Sequence, residues 1–376
     1  MSTSSRFLVA VLAGTGLISA PARGQSVFDG ELRLAPQFMR YELKAPTNET
    51  ISQLAVPVFV SVPVGTRFTF DVGTAYTRVR ATTSSAVSEV SGLTDTQLRG
   101  NVTLGSDFVV VTGGLNLPTG KSSVRLDQVA AAGRIGNDFL AFPISNMGTG
   151  FGATGGIAVA RPLGEWNIGF GGAVRHSAAY EPFNVPGTTL RFQPGNEYRA
   201  RVGVDRPVGT GRVALGVTYS TFGDDAAGAS IYNTGDRVIA QAVVSNSIAG
   251  SDVTAAAYNV FRAPGHLASG DALGRENIAN LFVSLGLHTL GTIVEPSVEV
   301  RQLLQNVPGS GTSAARSQSS YLGTVGLRTR LAAAGLSLYP SAGYTLGRLA
   351  ATNTLGAAMH ADLTGFRAQL AVRVTP

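Results

Sequence analysis

The chain has 376 residues, of which only 14% are charged and 47 are glycine; soluble globular proteins carry roughly 25% charged residues and about half that glycine share. With 44% apolar residues the composition argues against global disorder, and the lack of cysteine excludes disulfide staples, Cys-ligated zinc, iron–sulfur clusters and thiol catalysis. The formal charge is +6, but the 29 basic residues, all arginine except Lys44 and Lys121, are scattered singly, which excludes a nucleic-acid-binding run.

Residues 1–24 read as a secretory signal: Arg6 supplies the positive end, Phe7 to Ile18 an apolar segment too short to span a bilayer as a helix, and Ala20-Pro-Ala22-Arg-Gly24 the small residues of a cleavage site. No later stretch holds 18 consecutive apolar residues, so the rest, 25–376, has no helical span.

Beyond residue 30 the recurring signal has period two. In 67–77, Phe68, Phe70, Val72 and Tyr76 alternate with Thr69, Asp71, Gly73 and Thr77; segments 196–206, 293–301 and 362–374 behave alike. Strands are expected near 31–42, 52–62, 67–79, 94–104, 107–117, 149–160, 166–176, 196–206, 211–221, 236–246, 251–262, 277–289, 292–303, 319–331, 336–348 and 362–374. They are longer than ordinary soluble strands, and short connectors alternate with long polar ones. This pattern predicts an all-β fold, a transmembrane antiparallel up-and-down β-barrel. The count is about sixteen, with fourteen or twelve left open by Pro36 and Pro57 in the first pair. Both termini then lie beside the short turns. Phe68, Tyr76, Trp166, Tyr198, Tyr219, Tyr321, Tyr344 and Phe366 fall on the outward face near predicted strand ends, as in the aromatic girdles of such barrels.

The longest connector, 118–148, carries weak helical character over Ser122 to Ala132. A loop of this length either folds into the lumen and narrows it or extends outside. Gly114 to Ser122 resembles a phosphate-binding loop, but five residues rather than four separate Gly114 from Gly120, and no α/β context follows. His176 and Ser177 evoke a hydrolase, yet nothing in the sequence places a third residue. No histidines sit at metal-ligand spacing. No catalytic, cofactor-binding or metal-binding residue is assigned, and no cofactor is expected.

The distributed constellation is in the lumen. Alternation turns Arg99, Arg175, Arg199, Arg201, Arg301, Arg328 and Arg330 inward, with Arg367 and Arg373; Asp71, Asp95, Glu197, Asp205, Glu295 and Glu299 share that face. Facing basic and acidic walls would set a transverse field across a constriction, and the arginine excess would favour anions. The same ions could instead pair with one another and keep the lumen wet.

At Gly113-Gly-Leu-Asn-Leu-Pro-Thr-Gly120 the chain resembles the outer-membrane barrel transporters of the phenol-degradation-pathway type, distant relatives of long-chain fatty-acid channels. The resemblance is specific over about ten residues and architectural over the rest. It implies passive uptake of small, often hydrophobic or aromatic solutes, and defines no site residues to carry over. It also implies outer-membrane lipid and the barrel-assembly machinery as partners, although the chain ends in Pro376 rather than the usual terminal aromatic. The expectation is a non-enzymatic bacterial outer-membrane channel for small hydrophobic, aromatic or anionic solutes, of undetermined oligomeric state. The alternative is a non-conducting structural or adhesive barrel.

Overall fold

The computed structural model describes residues 31–374, apart from 45–47, 106–107, 188, 270–271, 290, 308–315, 334 and 353–357; the predicted signal segment 1–24 lies outside the described residues. Sixteen antiparallel strands close into one barrel. In chain order they are β1 (Glu31–Leu34, resuming as Gln37–Lys44), β2 (Glu49–Val64), β3 (Phe68–Thr83), β4 (Val87–Leu93, resuming as Thr96–Leu104) and β5 (Val109–Leu117). After the long loop follow β6 (Gly152–Leu163), β7 (Trp166–Ser177), β8 (Glu197–Val208), β9 (Gly211–Phe222), β10 (Arg237–Ile248) and β11 (Ser251–Arg262). The last five are β12 (Glu276–Thr289), β13 (Thr292–Val307), β14 (Arg316–Ala333), β15 (Leu336–Thr352) and β16 (Ala358–Val374). The ring is sealed by β1 against β16, with Leu32 opposite Val374, Met39 opposite Arg367 and Lys44 opposite Asp362.

Closure leaves no unpaired strand edge, the condition for crossing hydrocarbon with a sheet. Pro36 and Pro57 do not remove the first pair. Pro36 sits in the break of β1, where no ladder N–H is asked of it, and the strand resumes with unchanged register against β2 and β16.

Outward positions form an apolar band that includes Leu54, Ile157, Phe170, Val202, Val217, Leu281, Val300 and Val325, all exposed. Among the outward aromatics expected there, Phe68 and Trp166, each beside a short turn, and Tyr198 stand next to strand ends. Tyr76, Tyr219, Tyr344 and Phe366 each lie eight residues from the strand end nearest a short turn. At about 2.5 Å of height per residue in a strand tilted by about 40°, that is about 20 Å up, near the outer edge of a ~25 Å apolar band. The expected strand-end position is therefore corrected for these four. They stand at the outer rim of the band because the strands continue past it.

A second correction concerns β3 and β4. The connector expected between residues 79 and 94 is a turn of Ser84, Ser85 and Ala86, because both strands run further than the sequence pattern indicates. The pattern failed here because the alternation inverts. Past the aromatic row Arg78, Arg80 and Glu89 face outward, while Val79, Ala81 and Val90 face inward and are buried.

Candidate functional site

The long loop between β5 and β6 folds into the barrel. The strand β5 leaves the sheet at Leu117, where Pro118 cannot continue the ladder. Both feet of the loop are then clasped by one carboxylate. Asp95, buried in the break of β4, accepts hydrogen bonds from the Gly120 N–H (3.0 Å), the Thr149 N–H (2.7 Å) and the Asn116 side-chain amide (2.8 Å). Gly120 is required by space: a Cβ there would lie 2.3 Å from the Met147 carbonyl oxygen and 2.4 Å from the Asp95 nitrogen. The glycine and lysine that resembled a phosphate loop are thus the near foot of this loop.

Between its feet the loop forms a 3-10 turn, Leu126–Gln128, and the helix α1, Val129–Ile135. Ser88 of β4 donates to the Asp127 carbonyl (2.6 Å) and accepts from the Ala131 N–H (3.1 Å). Arg134 makes a bidentate pair with Glu49 of β2 at 2.8 and 2.6 Å. Gln53, fully buried, donates to the Ile144 carbonyl and accepts its N–H, and Tyr41 of β1 donates to the Leu140 carbonyl (3.0 Å). On the far side Arg262 of β11 reaches Asp138 (3.1 Å), and Arg301 of β13 donates to the Phe139 carbonyl (2.7 Å). Strands β2 and β11 are almost diametrically opposed in a ring of sixteen, so the loop is a bar across the lumen. Its side chains Ala131, Ile135, Phe139, Leu140, Phe142 and Met147 pack with inward-facing Tyr41, Leu43, Ile51, Val79, Val90, Leu322 and Leu363 into one apolar cluster. Below Ala141 and Pro143 a cavity of about 310 Å³ remains, bordered by Met39, Phe282, Ser284, Arg328 and Arg367.

No inward residue of β6 to β10 enters that cluster. This wall carries Gly156, Ala158, Gly169, Gly171, Ala173, Gly203 and Gly216, small residues that leave room. From it and from β4, which β5 separates from β6, Gln97, Arg99, Thr154, Arg175 and Arg199 extend exposed.

The arginines and acids picked out from the sequence fall into three settings. Arg99 of β4, Arg175 of β7 and Arg201 of β8 face the uncovered side and form no ion pair among the described residues. Arg199 is held by Glu197 (2.6 Å), and Asp205, buried, by Arg212 (2.5 Å) and Asn167 (3.0 Å). On the covered side Glu299 is pinned by Arg301 (2.6 Å), Arg367 (3.2 Å) and Asn280 (2.6 Å), Arg328 pairs with Glu295, and Arg330 stacks over Tyr339 near a short turn. Arg301, 9% exposed, is an anchor of the bar rather than an open lining residue. The acidic wall does not form: each carboxylate is occupied locally, Asp71 by Ser61 and Asn101, Asp95 by the clasp. His176 and Ser177 point to opposite faces of β7, and His176 bonds Asn196 (2.7 Å), so they make no dyad.

Sequence reasoning missed Tyr41, Glu49, Gln53, Ser88 and the role of Asp95. Their signal was present as apolar residues on the inward parity of the strands' outer halves, where a wet lumen should carry polar ones.

No family model and no characterised protein sequence matches this chain. Among solved structures it is similar to the outer-membrane protein OpdK from Pseudomonas aeruginosa, with a TM-score of 0.46, 7% identity, and 93% of this chain and 99% of that chain covered. An anion-selective porin from Comamonas acidovorans gives 0.42, 12%, 93% and 100%, and an outer-membrane channel from Pseudomonas putida F1 gives 0.39, 12%, 96% and 100%. An even-stranded closed barrel with a lipid-facing apolar band and alternating short turns is a bacterial outer-membrane architecture, and that is where this chain resides.

Proposed function

We propose that the protein is a passive outer-membrane channel whose path for small solutes runs between the in-folded bar and the β6–β10 wall, and that it favours anions. The observation that carries this is the set of arginines without carboxylate partners among the described residues, Arg99, Arg175 and Arg201, on the side the bar leaves uncovered. Guanidinium groups stay charged at any physiological pH, so such a wall is a fixed positive field in a narrow aqueous passage. The bar sets the bore, and its apolar underside beside Met39 and Phe282 suits solutes that carry an aromatic or aliphatic part with the anionic group. Uptake of phenol-type aromatics, which the Leu-Pro-Thr-Gly resemblance implies, is the finer form of the same proposal.

Refolded protein in a planar bilayer under a salt gradient tests it. The expected result is a small conductance with a reversal potential on the anion side, moved toward or past zero by Arg175→Glu/Arg201→Glu. A silent bilayer and liposomes impermeant to small carboxylates would favour the non-conducting barrel and end the channel reading.

A further inference from the structure

The inverted alternation on the outer halves of the strands leaves charges on the outward face just above the apolar band. Counted from the short-turn ends, Arg40 is the ninth step along β1, Arg78 the tenth and Arg80 the twelfth along β3, Arg348 the twelfth along β15, and Lys44 the thirteenth along β1. At about 2.5 Å per step these heights run from about 23 to about 33 Å, which brackets the level just above a ~25 Å apolar band. They are contiguous on the surface: Arg40 and Arg80 flank Ser52 in one hydrogen-bonded row, and Lys44 and Arg348 flank Asp362 in another. Directly beneath lie the outward Phe38, Leu54, Tyr76, Tyr344 and Phe366. The patch belongs to one sector. Outward positions at the same level on β8 to β12 are Tyr198, Thr221, Val238, Phe261 and Asn277, with no basic residue; Asp236 beside them is acidic and accepts from the Tyr219 hydroxyl (2.5 Å).

Part of the positive charge is answered within the chain: Arg40 by Glu42 (2.7 Å), Arg78 by Glu89 (2.9 Å) and Arg348 by Asp362 (3.0 Å). Among the described residues Lys44 and Arg80 have no carboxylate within ion-pair distance. We infer that this sector is a docking face for the phosphorylated headgroup of an outer-leaflet glycolipid, with Lys44 and Arg80 as its unanswered phosphate contacts. The occupant follows from position: a group at this height above an unbroken apolar band is the headgroup of the lipid whose chains cover that band. A net positive face at that level selects a phosphate-bearing headgroup over a neutral one. The inference depends on the barrel spanning the membrane and not on conduction.

Native mass spectrometry of the full refolded chain, with bis-phosphorylated lipid A and with phosphatidylcholine as probes, tests it. The wild type should retain lipid A in preference to phosphatidylcholine, and Lys44→Ala/Arg80→Ala should weaken retention by about 30-fold, at about fivefold per basic contact. Asn259→Ala/Asn277→Ala on the sector without basic residues should leave retention unchanged. Heat-modifiable gel mobility shows which variants are folded, and if the double alanine variant is not, Lys44→Gln/Arg80→Gln takes its place with the same expectation. Equal retention by the wild type and the folded charge variant, equal retention of both probes, or a second copy of the chain bound in place of lipid would each overturn the assignment.

Discussion

On β6 to β10 the strands are short: outward residues such as Ile157, Phe170, Val202 and Val217 are apolar, and inward ones are mostly small or polar, such as Gly156, Gly171, Thr154, Arg175, Arg201 and Asp205. On β14 to β16 and β1 to β4 the strands are long, and that alternation holds only for the half nearest the short turns. Beyond the aromatic row, inward Tyr41, Leu43, Ile51, Val79 and Leu363 are buried, while outward Arg40, Arg78 and Arg348 are charged. The inversion has two independent causes. Outside, the hydrocarbon ends; inside, the bar supplies an apolar surface that water would otherwise occupy. Where the second cause is absent, the inward face stays wet, and that is the side on which solute can pass.

Removing the bar should erase the difference between the two halves and give the largest effect. Gly120 and Gly148 lie side by side at the clasp, so residues 121–147 can be excised and the feet joined over a short gap. Single-channel conductance is expected to rise on the order of threefold or more, because sixteen strands without an inward loop enclose an open aqueous lumen. Anion preference should fall as the bore widens away from Arg175 and Arg201. An unchanged conductance would mean that the bar does not set the bore.

Unfastening the bar without deleting it should give a smaller effect. In Asp95→Ala the N–H groups of Gly120 and Thr149 and the Asn116 amide lose their shared acceptor. Unsatisfied buried donors cost about 1–3 kcal/mol each, less where water reaches them. A loss of about 3 kcal/mol in urea unfolding is expected, with faster proteolysis in 118–148 and noisier channel openings. Arg301→Met should act from the opposite end of the bar and leave the feet intact. Removing one partner from a buried ion group costs about 3–5 kcal/mol, lessened here because Arg367 and Asn280 still hold Glu299. Identical proteolysis patterns in the two variants would show that the bar releases as one unit rather than from either end.

The barrel itself was legible because a tilted membrane strand imposes period two over ten or more residues, as in Phe68 to Tyr76 and Leu370 to Val374, and short turns punctuate it. All sixteen strands follow from that pattern. The site was legible only in part. Arg175, Arg199 and Arg201 could be turned inward by parity, since the alternation of β7 and β8 does not invert. What those groups touch could not be read. Asp95 shares parity with Arg99, yet it serves a backbone clasp to residues 25 and 54 positions away, and Arg301, unlike Arg201, has Phe139 above it and Glu299 beside it. Such pairings depend on how a loop crosses the interior, which leaves no local periodicity. The usable trace was the run of wrong-faced apolar residues, Tyr41, Leu43, Ile51 and Val79, which reported a hidden partner inside the lumen.

The smallest expected effect lies in the external loops over the uncovered side, where Phe192–Gln193, Asp225–Ala227 and Ser230–Tyr232 form a small sheet. Burial is the main cause raising the Asp225 pKa above its ordinary value, with Asp224 adding to it and the hydrogen bond from the Gly195 N–H (2.8 Å) opposing it. A carboxyl whose folded pKa is raised prefers its proton in the folded loop. Its contribution is full below the unfolded carboxylate pKa and is lost as pH rises through the folded value. Amide exchange at Ala226 and Ile231, corrected for intrinsic rates, should therefore show somewhat greater protection in mild acid than at neutral pH. Asp225→Asn should flatten that dependence while leaving conductance through the β6–β10 side unchanged, because the sheet roofs the passage without lining it. Persistence of the pH dependence in Asp225→Asn would assign it to another group.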